Sequence, residues 1–260
     1  MTVMVRVKVH VPSGTVILDR PEKRNAISRE MLLQLRQAME DLHQERRVRA
    51  VIITGAGDCF CAGIDLAEIQ ATSRTPDALQ QWQEDSMQYA DLLEMMLRFP
   101  KPIIAAVNGP AAAFGAGLVL ASDIVVATPE ASFGFPEPRR GLVAGLPSPL
   151  LVFRIGAGRA ANLLLTARMT EAQHARELGI YHQIVANEFV WAAAHDIACQ
   201  CAESSREALQ MTKRMLNETI GEQLNTLLAA GAAVGATART TEAAKEGVAA
   251  FLEKRLPHWP

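Results

Sequence analysis

Three short apolar runs, Val48 to Thr54, Pro102 to Val107 and Ile124 to Val126, dominate the first half of the chain. Each is bounded by turn residues or helix, and none is long enough for a core helix, so each reads as a buried strand. Gly55-Ala56-Gly57 closes the first run and Asn108-Gly109-Pro110 the second, while an Ala/Gly-rich helix leads into the third. Amphipathic helices fill the gaps. Ser28 is placed to cap one, with Glu30 in its first turn and Leu32, Leu35, Met39 and Leu42 on one face. A second runs from about Asp77 to Arg98 and stops before Pro100. Upstream, Val3, Val5, Val7, Val9 and Val11 alternate with polar or flexible side chains, the period of a half-buried strand. Ser13-Gly14 would turn that strand back into Thr15 to Leu18 as a hairpin. From Pro147 the chain reads almost entirely helical: Thr170 caps a helix ended by Gly179, Ser204 or Ser205 caps another, and a last helix runs from about Thr241 to Lys254. The succession predicts an α/β layered core with a helical C-terminal third.

Composition narrows the function. Of 260 residues, 49% are hydrophobic and 21% charged, far from the balance of a disordered chain. Lys and Arg total 26 against 28 Asp and Glu, a net charge of -2, without the basic excess that phosphate neutralisation demands of a nucleic-acid binder. The apolar runs fall well short of the ~20 residues that span a bilayer, and the alternating N-terminus lacks a signal peptide's apolar block. The expectation is a soluble cytoplasmic protein. The cysteines form two C-x-C pairs, Cys59/Cys61 and Cys199/Cys201, a spacing that matches neither a zinc rule nor a disulfide framework. They are expected to be buried, reduced and structural, with no metal site.

Gly55-Ala56-Gly57 follows a strand, but Phe60 stands where a dinucleotide fingerprint needs its third glycine; Gly115-Ala116-Gly117 fails in the same way at Leu120. Neither a phosphate-binding G-x4-G-K-[ST] loop nor a G-x-S-x-G nucleophile elbow occurs. Two glycine-bearing loops remain, Phe60 to Leu66 and Asn108 to Gly117, each just after an apolar strand. Small residues let backbone approach a ligand, and N–H groups at a loop-to-helix junction attract negative charge. Facing one another, two such loops would bind a developing oxyanion; alternatively, their glycines only serve turns and packing.

Arg20–Ala26 (RPEKRNA), Thr54–Leu66 (TGAGDCFCAGIDL), Ala106–Pro110 (AVNGP), Ser122–Ile124 (SDI), Phe133–Glu137 (FGFPE) and Ala250–Arg255 (AFLEKR) together resemble the enoyl-CoA hydratase/isomerase (crotonase) superfamily in order and spacing. The resemblance spans nearly the whole chain. It implies a spiral of ββα turns over residues 1–198, and a helical C-terminal region, residues 199–260, that builds trimers, often paired into hexamers, and completes the active site. It also implies acyl-CoA thioester substrates whose enolate is held by two backbone N–H groups, here those of Ile64 and Phe114. Relatives mostly carry Gly or Ala at the Phe114 position, so its ring is expected to shape the acyl pocket or shift the donor onto Gly115.

Glu137 matches one catalytic glutamate of that family. Its apolar neighbours Phe133, Phe135, Pro136 and Pro138 favour a raised pKa, opposed by Arg139 and Arg140. The family's second glutamate would fall at Gly117. A single carboxylate suits a double-bond shift better than hydration by two carboxylates on one water, although single-glutamate hydratases and lyases also belong to the superfamily. Coenzyme A, brought in as part of the substrate rather than as a resident cofactor, would meet Lys23, Arg24, Ala26, Ala62, Asp65 and Leu66. Phe251 and Lys254 would reach it from a neighbouring subunit. Asp65 is more a turn cap than a catalyst, and Met87, Tyr89, Leu92, Leu93 and Met96 line either the acyl pocket or the core. The alternative to an enoyl-CoA isomerase or single-glutamate hydratase is a weakly catalytic CoA-ester binding or scaffold protein on the same fold.

Overall fold

The computed structural model describes residues 2–219 and 223–259; Met1 and Pro260, the outer ends of the two regions expected above, lie outside it. Its first strands, β1 (Val5–His10) and β2 (Ser13–Leu18), form an antiparallel hairpin that pairs Val5 with Leu18 and His10 with Ser13. The turn is Val11-Pro12, with a cis peptide, so Ser13 and Gly14 lie in the strand and do not make the turn. β1 is also more open than its alternation predicts: Val7 and Val9 are exposed, because an edge strand here has little packed over it. Arg6 and Lys8 on that strand discourage pairing with another sheet.

After α1 (Arg29–Gln44), whose N-cap Ser28 accepts a hydrogen bond from Met31 N–H, comes β3 (Ala50–Gly55). Then follow α2 (Leu66–Thr72), α3 (Ala78–Arg98), β4 (Ile103–Val107), β5 (Ala111–Ala112) and α4 (Phe114–Ala121). Next are β6 (Ile124–Ala127), β7 (Ser132–Gly134), α5 (Pro147–Ile155), α6 (Ala157–Thr166), β8 (Met169–Glu171), α7 (Ala172–Glu177) and β9 (Gln183–Ile184). Helices α8 (Val190–Ala202), α9 (Arg206–Arg214), α10 (Leu224–Ala238) and α11 (Glu242–Leu252) complete the chain. The main sheet runs β1-β2-β3-β4-β6-β9, parallel from β2 onward, and a small sheet runs β5-β7-β8.

The apolar runs are buried on both faces of the main sheet. Val51, Ile53, Ile103 and Ala105 point into the principal core with α1, α3 and α4. Their neighbours Ala50, Ile52, Ile104 and Ala106 point the other way, against Val190, Ala194 and Ala198 of α8. That is the two-residue period of a strand expressed on a sheet covered by helices on both sides.

The helical reading beyond Pro147 omits β8 and β9. Thr170 sits in β8, and its buried Oγ1 has no hydrogen-bond partner, so it does not cap α7. Cys59 and Cys61 are buried and unbridged, as expected, whereas Cys199 and Cys201 are only partly buried on α8. The C-terminal helices are tied down by polar contacts. Lys213 of α9, itself buried, lies 2.7 Å from Asp123, whose Oδ2 also accepts a hydrogen bond from Ile103 N–H.

Candidate active site

Asn25 organises the first glycine-bearing loop. It is fully buried, takes the left-handed conformation, and its Nδ2 donates to the carbonyls of Ala56 and Cys59 at 2.9 and 2.7 Å. Ala62 N–H bonds to Arg24 O, Ile27 N–H to Gly63 O, and Asp65 N–H to Ile27 O. Asp65 caps α2 by accepting from Ala67 N–H, and its other oxygen pairs with Arg20 at 2.7 Å. Within this lattice, and among the described residues, the amide of Ile64 has no acceptor.

The second loop is laid against the first. Ala112 N–H bonds to Cys61 O and Ala113 N–H to Gly134 O, leaving Phe114 at the start of α4 with its amide also unused. Ala113 sits at φ 55°, ψ −124°, a conformation costly for a residue with a Cβ. The loops touch at Gly63 (φ +108°): a Cβ there would lie 2.8 Å from Ala113 Cβ and 3.6 Å from Phe114 N. Only glycine lets the first loop lie this close to the second. The Phe114 ring is turned largely into the core, while the residue itself borders the cavity described below. Its side chain is 2% exposed and packs edge-on against Tyr89, with ring centroids 4.7 Å apart.

β7 leads into Phe135 and then into a single 3₁₀ turn, Glu137–Arg140. Phe133 and Phe135 are fully buried, and Glu137 Oε2 is buried with no hydrogen-bond partner. Burial pushes the Glu137 carboxyl up to about 7, against the smaller downward pull of its own backbone amide and of Arg140. Gly117 lies in α4, where an added Cβ would reach ordinary van der Waals contact with Pro147 and Leu93, and it supplies no second carboxylate.

These elements enclose a cavity of about 910 Å³. Ile64, Phe114 and Glu137 line it, as do Lys23, Arg24, Ala26, Ala62, Asp65, Leu66, Phe251 and Lys254, so every site residue read from the sequence borders one space. Phe251 and Lys254 border their own chain's cavity, because α11 folds back over the Glu137 turn. Gly247 and Gly141 permit this: a Cβ on Gly247 would meet the Arg140 backbone at 2.3 Å, and one on Gly141 the Ala243 carbonyl at 2.1 Å. The Arg140 guanidinium then rests 4.4 Å from the centre of the Phe251 ring.

The α3 stripe separates differently. Met87 is exposed, and Tyr89, Leu92, Leu93 and Met96 belong to the core; Ser86 is the α3 residue that reaches the cavity. Ser86, Leu142 and Arg239 carry no local motif and are lining residues that sequence reasoning misses. Among the described residues, no cluster of three or more His, Cys, Asp or Glu side chains is arranged to hold a metal ion.

Residues 14–260 match the enoyl-CoA hydratase/isomerase family. The chain belongs to that family. A Thermus thermophilus protein provisionally named an enoyl-CoA hydratase is 40% identical over 98% of this chain and all of its own length. The 1,2-epoxyphenylacetyl-CoA isomerase of Escherichia coli K12 is 33% identical over 96% of both chains. An enoyl-CoA hydratase/isomerase from Xanthobacter autotrophicus Py2 superposes with a TM-score of 0.87 at 28% identity, covering 97% of this chain and 93% of that one. The architecture is thus the α/β crotonase spiral with its helical C-terminal region, and the family's members act on CoA thioesters. Among the described residues, no helix is long and apolar enough to cross a membrane.

Proposed function

We propose that this family member is an enoyl-CoA isomerase that moves a double bond between the 3 and 2 positions of a CoA thioester. The observation that carries the reading is Glu137, the one cavity-lining carboxylate among the described residues that is buried without a hydrogen-bond partner. Asp65 is committed to its cap and to Arg20, and Glu22 reaches out toward Arg20 at the surface. In this mechanism the thioester oxygen lies between the amides of Ile64 and Phe114. Glu137 removes a proton from carbon 2, the electron pair spreads into the dienolate, and the amides hold the charge that collects on oxygen. The same carboxyl returns the proton at carbon 4, so one acid/base suffices. A pKa near 7 suits both halves of that transfer.

Lys23, Arg24 and Lys254 would receive the phosphates of CoA, with Ala26, Ala62, Asp65, Leu66 and Phe251 around the remainder. CoA enters and leaves with the substrate. Apolar side chains exposed on α9 and α10, including Met211, Leu227 and Val234, support self-assembly, which we read as a homotrimer or hexamer, and the bacterial relatives support a cytoplasmic location. Hydration through the single glutamate is the second reading, supported by the hydratase named among the relatives. Assays with 3-enoyl-CoA and 2-enoyl-CoA thioesters separate the two, by formation of the conjugated isomer or of the 3-hydroxy product. Full turnover by Glu137→Gln on every active substrate would remove Glu137 from the chemistry.

A further inference from the structure

One wall of the cavity is chemically unlike the rest. Ser86 from α3 and Arg239, which follows α10, both line it, and they are 1% and 8% exposed. Ser86 Oγ is buried with no hydrogen-bond partner, and the Arg239 side chain, almost fully enclosed but facing the cavity, makes no hydrogen bond or ion pair with another described side chain. The charge that would neutralise it is already engaged. Asp85 is held by Arg29 at 2.7 and 2.6 Å and by Gln81 at 3.0 Å, and the Tyr89 hydroxyl donates to Ile27 O. One helical turn before Ser86, Trp82 Nε1 is also buried without an acceptor. Nearby walls are apolar: Ile64, Ile69, Leu142 and Leu252.

Each of these unpartnered groups can donate. An arginine stays cationic even when burial lowers its pKa, as it does here, and a buried charge without a partner is costly. Such a wall in a ligand cavity is completed by an acceptor, and a planar carboxylate fits a guanidinium with a hydroxyl beside it.

We propose that Arg239 and Ser86 bind a carboxylate at the far end of the acyl chain, so that the preferred substrates are CoA thioesters of dicarboxylic acids. This rests on the reading above that the Ile64 and Phe114 amides hold the thioester carbonyl. The substrate is then anionic at both ends, with its phosphates on Lys23, Arg24 and Lys254 and its acyl terminus on Arg239.

Saturated, unreactive pairs test the proposal by calorimetry: butyryl- against succinyl-CoA, valeryl- against glutaryl-CoA and hexanoyl- against adipoyl-CoA. In at least one pair the carboxylate member is expected to bind about tenfold tighter or more. Arg239→Met is expected to weaken that member about 100-fold while leaving its methyl-ended partner within a few-fold. If thermal melting shows that Arg239→Met does not fold, Ser86→Ala carries the test, with a smaller loss confined to the carboxylate members. Equal or weaker binding of the carboxylate member in all three pairs overturns the proposal. Failure of the isomerase reading shows up differently, as no turnover of any enoyl-CoA while the binding preference persists.

Discussion

In the mechanism proposed above, Glu137 gathers most of the chemistry into one carboxyl whose protonation is set by its surroundings. With its pKa near 7, the base form grows as pH rises through neutrality. The kcat/KM for 3-enoyl-CoA is therefore expected to climb from pH 5 to 8 with a midpoint near 7, and a profile flat across that range would contradict the assignment. Glu137→Gln should lower turnover by about 10²–10⁴-fold, the usual scale of a lost acid/base. Asp65 acts through structure. Asp65→Ala removes the α2 cap and strands the mostly buried Arg20, so a loss of about 2–4 kcal/mol in a urea melt is expected. Both residues were legible in the sequence because each sits in a compact motif. Arg239 and Ser86 were not: 153 positions separate them, and an arginine after one helix and a serine inside another look like ordinary helical residues until the fold closes around them.

At the scale of elements, the strands between Val48 and Val126 were readable because burial on both faces requires apolar residues at every position. The pieces that misread were short or terminal. β8 has three residues and β9 two, and pairing with neighbours, not local propensity, makes them strands. The exposure of β1 follows from its place at the sheet edge, which an alternating pattern cannot reveal. α11 owes its position to backbone contact, so Gly247→Val should push it off the Arg140 turn. Overpacking of this kind costs about 1–3 kcal/mol. Limited proteolysis is expected to cut faster near Thr240, and the KM for acyl-CoA to rise while far-UV dichroism is unchanged. α9 is held by charge: Lys213→Met removes the buried partner of the partly exposed Asp123, which keeps only its hydrogen bond from Ile103 N–H, and should cost about 1–3 kcal/mol in chemical denaturation.

For the whole molecule, the raised Glu137 pKa would couple the proposed proton transfer to stability. The folded-state pKa lies above its ordinary value of 4.5, so this contribution is fully present below pH 4.5 and is lost as pH rises through about 7. Glu137→Gln should therefore melt higher than wild type at pH 8 and about equally at pH 4, by scanning calorimetry. Light scattering is expected to show three copies or a multiple of three, and a monomer at micromolar concentration would remove the role given to the exposed apolar residues of α9 and α10. The net charge of -2 hides an uneven distribution, because the cavity gathers cations that suit a small polyanion. The contact between α11 and the Glu137 turn also sets a timetable for biogenesis. On the ribosome the turn emerges first, and α11 follows roughly 100 residues later, a lag of roughly 5–20 s at ordinary elongation rates. Through that interval Ile69 and Trp82, which pack with Val248 of α11 in the finished fold, await their cover, and the nascent chain offers that patch to chaperones.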